Sequence, residues 1–243
     1  MRKIFIAAVS LLLIVSCQTK ETNFTLTGNI KGLKQGKLYL QKIEDTLVVN
    51  VDSVVIDGDA NYTLEAFLKE PEIMFLYLDK SDGDRNDDIV DFFAEEGEMT
   101  INSSLNNFVS DAKITGSKNQ VVLEEYEGII KRFSEQNLDL VKASFDAEKA
   151  GDQEKVLAVN KSYENILKRK YLYTVNYAIT HKDKEASPYI IITEAFDANV
   201  KYLDTVYNSY DKKVRKSKYG KELKDLIKQH RKILKLDKKV SKK

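Results

Sequence analysis

The apolar pattern of this chain changes period once, near residue 117, and that change limits the fold to a β part followed by an α part. Before it, short β-rich runs are separated by glycine and aspartate. Phe24 to Thr27 alternate ahead of Gly28, Gly32 and Gly36 bound a turn, and Leu38-Tyr39-Leu40 and Ser53 to Ile56 follow. Asp57-Gly58-Asp59 reads as a hairpin turn into Tyr62-Thr63-Leu64. Ile73 to Leu78 is a continuous apolar run, the pattern of a central strand. Val90 to Phe93 and Met99-Thr100-Ile101 read as a further hairpin across Glu96-Gly97-Glu98, and Ile114 to Ser117 closes the region.

After residue 117 the spacing is three to four. Val122, Tyr126, Ile129, Ile130, Phe133, Val141 and Phe145 predict one long helix that Gly151 stops. Asp152 then caps a second, carrying Val156, Val159, Tyr163, Ile166, Val175 and Ile179. Ser187-Pro188 reads as a helix start, serine at the cap and proline at the first helical position. Tyr219, Leu223, Leu226, Ile227, Ile233 and Leu234 give the last helix a narrow apolar stripe. The expected class is α+β: an antiparallel β-sandwich-like domain at residues 24–117, then a helical domain at 118–243 built from an αα-hairpin and shorter helices.

The first sixteen residues belong to neither part. Met1-Arg2-Lys3 is basic, Ile4 to Val15 is almost wholly apolar, and Ser16 is small, which is the layout of a secretory signal peptide. Ile14-Val15-Ser16-Cys17 resembles a bacterial lipobox, so residues 1–16 are expected to be removed and Cys17 acylated. Residues 17–23 would form a polar tether with no aspartate beside Cys17, a pattern that favours the outer membrane. No acidic cluster follows the cysteine, so the periplasmic face is expected. Cys17 is the only cysteine, which excludes an intramolecular disulfide and a thiolate zinc site.

The net charge of +1 conceals a split. Residues 44–111 carry eighteen acidic and three basic residues, a balance of −15, while residues 211–243 carry fifteen basic and four acidic, a balance of +11. Segregation of this kind marks separate domains or a charged contact. The basic segment is therefore expected to meet anionic lipid, an envelope polymer or the acidic half of the same chain.

Chemistry-bearing motifs are sparse. Asp82, Asp84 and Asn86 alternate like the oxygen ligands of a calcium loop. However, Asp87 stands where such a loop needs glycine, Phe93 where it needs a bidentate glutamate, and Arg85 opposes a cation. An exposed acidic turn is the expectation. His181 and His230, the two histidines, sit among lysines near expected helix ends without a partner nucleophile. Glu95, Glu96 and Glu98 could supply an acid/base pair, though carboxylates beside a turn are commonly only solvated. No catalytic residue, cofactor or nucleic-acid partner is expected.

Phe24-Thr25-Leu26-Thr27-Gly28-Asn29-Ile30, Gly36 to Leu40, Asp52-Ser53, Phe92 to Gly97 and Ile114 to Ser117 resemble recurrent positions of a domain of unknown function in Bacteroidetes lipoproteins. In that family the domain and a helical linker, to which Ser187-Pro188 and Ser217 to Gly220 are similar, commonly precede a thioredoxin-like domain. Here the chain stops where that domain would begin and has no Cys-x-x-Cys. The resemblance also makes Thr46, Ser53 and Thr205, each after an aspartate and before an apolar residue, candidates for O-glycosylation. The function expected is that of a lipid-anchored periplasmic lipoprotein acting as a non-enzymatic binding or scaffolding module. Its partners would be the bilayer through acylated Cys17 and an envelope protein or polymer. The alternative is an accessory subunit or degenerate relative of thioredoxin-like lipoprotein oxidoreductases.

Overall fold

The computed structural model describes residues 21–80 and 88–240, with side chains to residue 236. The signal peptide, Cys17 and most of the tether lie outside the described residues, as does the loop of Asp82, Asp84 and Asn86. Eight strands come first: β1 (Phe24–Lys31), β2 (Gln35–Glu44), β3 (Leu47–Asp57), β4 (Asn61–Ala66), β5 (Glu72–Asp79), β6 (Ile89–Ala94), β7 (Gly97–Ser104) and β8 (Lys113–Thr115). They form two four-stranded sheets, ordered β4-β1-β7-β8 and β3-β2-β5-β6. Alternate residues of both sheets meet in one core, with Phe24, Leu26, Leu64 and Ile101 from the first and Leu38, Leu40, Leu76 and Phe92 from the second. This is the expected sandwich within an α+β chain.

Its connections differ from the expected ones in three places. Asp57-Gly58-Asp59 does not close a hairpin, because β3 pairs with β2 while β4 pairs with β1. Glu95 and Glu96 likewise carry the chain from β6 in one sheet to β7 in the other. β1 and β7, moreover, run parallel, the one such pair among antiparallel neighbours in the described residues. Turn-forming residues reverse the chain whether the next strand joins the same sheet or crosses to the facing one, so local composition does not separate the two cases.

Gly28 lets the first sheet close across β1. Tyr62 on β4 faces Gly28, and its phenol reaches over the glycine to donate to Ile101 O on β7 at 2.8 Å. A Cβ at residue 28 would lie 1.9 Å from Ile101 O and 2.7 Å from the Tyr62 hydroxyl. At the start of β1, Asn23 is clamped. Its side chain donates to Leu68 O at 2.9 Å and accepts from Leu68 N at 2.7 Å, while Gly97 N donates to Asn23 O at 2.9 Å.

Six helices follow: α1 (Lys118–Ala150), α2 (Gln153–Thr180), α3 (Ala186–Glu194), α4 (Val200–Ser209), α5 (Lys212–Lys216) and α6 (Lys218–Val240). α1 starts at Ser117, whose hydroxyl accepts from Gln120 N, and ends at Gly151 with φ 68°. Asp152 caps α2, as its sequence predicts. α3 begins two residues before the expected start, with Glu185 at the cap. Ser187 is instead a buried cross-link, its hydroxyl hydrogen-bonded to Ala178 O at 2.9 Å and to the Tyr210 hydroxyl at 3.1 Å. His230 falls inside α6 rather than near its end, whereas His181 does close α2.

Only the inner ends of α1 and α2 pack against the body. Tyr126, Phe133, Tyr173 and Tyr177 stack at their base, with centroids 5.3–6.1 Å apart, and Tyr177 donates to Val122 O. Farther out, Leu138 (67% exposed), Val141 and Phe145 (66%) face solvent, with Leu157 exposed on α2. Val141 and Phe145, although they keep the helical spacing of the apolar stripe, are therefore surface residues of a projecting arm. At 1.5 Å per residue α1 is about 50 Å long, too long for a sandwich of this size to cover.

Gly28→Ala is expected to destabilise the sandwich by about 3 kcal/mol or more, since the new methyl displaces backbone. Tyr62→Phe should cost about 1–3 kcal/mol by leaving a buried carbonyl without its donor. Denaturant unfolding of the two variants should rank them in that order.

Candidate functional site

A cleft of about 610 Å³ opens where the sandwich meets the helices. Lys69 and Glu70 after β4, Glu95 and Glu96 between the sheets, and Lys118 and Asn119 opening α1 form one wall. Asp183 to Glu185 before α3, and Lys213, Lys216 and Ser217 around α5, form the other. Three helix N-termini converge there; carboxylates meet two of them and an amide oxygen the third. Glu95 accepts from Lys118 N at 2.7 Å and from Asn119 Nδ2 at 2.7 Å. Glu70 accepts from Lys218 N at 2.6 Å, at the start of α6. Glu185 is the buried cap residue of α3, paired with Lys213 at 2.8 Å, and Asn119 Oδ1 accepts from Ala186 N at 2.9 Å. Negative charge at a helix start satisfies free N–H groups and complements the dipole, so these glutamates fasten the junction.

Around the cleft the fastening continues. Lys218 Nζ lies 2.6 Å from Glu72 on β5, joining the acidic and basic halves of the sequence. Ile73 N donates to the Tyr219 hydroxyl at 2.9 Å, and Phe93 N on edge strand β6 donates to Gln120 Oε1 at 2.7 Å. Phe93 packs edge-on to Tyr189 and Tyr219, at 5.9 and 5.7 Å. Burial pushes the Tyr219 phenol well above its ordinary pKa, so it stays neutral while it accepts from Ile73 N. The Glu185 carboxylate raises the Lys213 pKa and keeps that ammonium charged.

Glu95, one of the three carboxylates beside the β6–β7 turn, accepts from the start of α1. His181 stacks on Tyr177 at 4.1 Å, with Nδ1 2.9 Å from Tyr177 O and 3.2 Å from the Thr180 hydroxyl, which itself lies 2.8 Å from Tyr177 O. Among the described residues no group of three or more His, Cys, Asp or Glu is placed to hold a metal ion. The candidate O-glycosylation residues are exposed: Thr46 in the β2–β3 turn, Ser53 on β3 and Thr205 on α4, whose hydroxyl donates to Lys201 O. The structure does not bring them to the cleft.

Sequence reading missed the junction glutamates and Gln120. Ser117-x-x-Gln120 has the form of a capping box, the one short-range signal available. Only the serine plays that part, since the Gln120 side chain turns to Phe93 N.

A second acidic group sits on the neighbouring face. Although Glu127 is exposed, loss of solvent on its packed side, then the charges of Asp91, Glu124 and Glu194, push its pKa up to about 6. A carboxyl whose pKa is raised on folding stabilises the fold below its unfolded value, and that contribution is lost as pH rises through about 6. Glu127→Gln should therefore raise the melting temperature at neutral pH and give no gain below about pH 4, where the wild-type carboxyl is protonated in both states. Melting curves across this range check it.

No curated protein matches the chain. Residues 24–123, from the first residue of β1 through all eight strands and into the first turns of α1, match the family model described as a domain of unknown function, DUF4369.

Proposed function

We propose that this protein is a lipid-anchored lipoprotein of the outer membrane, facing the periplasm, that works as a non-enzymatic binding or scaffolding module. The observation that carries the reading is the division of labour in the helical part. Glu95 and Glu70 of the cleft hold the starts of α1 and α6 to the sandwich, while the outer halves of α1 and α2 project with Leu138, Val141, Phe145 and Leu157 exposed. A rigid base and an apolar arm suit presentation to another macromolecule better than turnover of a small substrate. The lipobox-like Ile14 to Cys17 supplies the anchor in this reading. Each buried methylene of an acyl chain contributes about 0.8 kcal/mol, so two or three chains hold firmly.

The alternative is an accessory subunit acting beside a separately encoded thioredoxin-like oxidoreductase. It draws on the DUF4369 match and on the resemblance of residues 24–123 to domains that precede such enzymes.

Two experiments test these ideas. Metabolic labelling with a fatty acid should mark the wild type and leave Cys17→Ser unlabelled; equal label in both removes the anchor from the proposal. Crosslinking in native envelopes should give a discrete adduct that Leu138→Asp/Phe145→Asp abolishes without changing the melting temperature. An adduct that survives the double variant excludes the arm as the presenting surface, and an oxidoreductase in the adduct selects the accessory reading.

A further inference from the structure

α6 changes surroundings halfway along its length. Tyr219, Leu223 and Ile227 are buried, and Arg231 pairs with Asp204 of α4 at 2.6 Å. The same stripe then continues into Ile233 (55% exposed) and Leu234, with Leu236 (52% exposed) beside it. Lys224, Lys228, Lys232 and Lys235 are all exposed and recur at three- to four-residue spacing along the polar side of the helix. From residue 224 to 243 there are nine basic and two acidic residues.

We propose that the outer half of α6 docks on an anionic lipid bilayer, with Ile233, Leu234 and Leu236 entering the headgroup boundary and the lysines meeting lipid phosphates. The sign of the charge selects the occupant. A second copy of this helix would set lysine against lysine, and the described acidic groups that meet α6 from the sandwich, Glu70 and Glu72, engage its first residue, Lys218. A bilayer carrying negative headgroups offers both things the exposed half lacks, an apolar layer and a dense field of counter-charge. Lysine stems can lie along the apolar stripe while their ammonium groups reach the phosphates. The contact deepens the proposed membrane anchoring by adding a second attachment, yet its test does not depend on acylation.

The probe is an environment-sensitive fluorophore on Leu234→Cys in the full chain, with Cys17→Ser so that the label has one thiol. The expected result is a blue shift on phosphatidylglycerol vesicles. It should be absent on phosphatidylcholine vesicles and reversed in about 1 M salt, where the Debye length is about 3 Å. Adding Lys232→Glu and Lys235→Glu should raise the lipid concentration needed by about tenfold or more, while circular dichroism stays unchanged. An equal shift on neutral vesicles, no shift on anionic ones, or a shift without lipid that grows with protein concentration overturns the proposal, the last in favour of self-association. Loss of fatty-acid labelling at Cys17 in the separate experiment would leave this result standing.

Discussion

Two strand N–H groups, at Ile73 and Phe93, hold the architecture together. Ile73 lies on β5 beyond the last residue paired with β2, and Phe93 lies on edge strand β6. Backbone donors in such positions must find an acceptor or pay a desolvation penalty, and here helix side chains meet both. The acceptors, the Tyr219 hydroxyl and Gln120 Oε1, sit in the first turns of α6 and α1. Placing them there brings two helix N-termini to one corner of the sandwich. Asn119 then fixes the third by accepting from Ala186 N. The aromatic contacts of Phe93 with Tyr189 and Tyr219 follow from the same placement.

The charge split of the sequence takes its meaning from this corner. The acidic and basic segments meet at Glu70, Glu72 and Lys218, where three glutamates also stand at helix starts. Such a junction gains from partial burial what an exposed ion pair would lose to water and salt. The outer half of α6 lacks that benefit, which is why its lysines and aliphatic residues need a different explanation from those at its start.

What the sequence made legible was local. Gly151 and Asp152 mark helix ends through contacts within four residues, and the period of the apolar residues separates strands from helices. The strands of the sandwich could be found one by one in the same way. Which sheet each strand joins could not, because Asp57-Gly58-Asp59 and Glu96-Gly97-Glu98 satisfy the same turn chemistry in a hairpin or a crossing. Glu95 and Glu70 act across 23 and 148 residues, beyond any spacing rule. The arm misled for a related reason: Val141 and Phe145 keep helical spacing although nothing packs over them. Periodicity reports which residues share a face, not whether that face is covered.

The clamp on Asn23 has a mechanical consequence. β1 starts at the next residue and lies between β4 and β7, hydrogen-bonded to both along its length. A force applied to the chain ahead of Asn23, directed along β1, cannot unzip those ladders one bond at a time. It must shear both at once, after first breaking the paired bonds between Asn23 and Leu68 and the one from Gly97. Bonds loaded together in shear share the strain, so the N-terminal end of the sandwich is the point from which this molecule is hardest to pull apart.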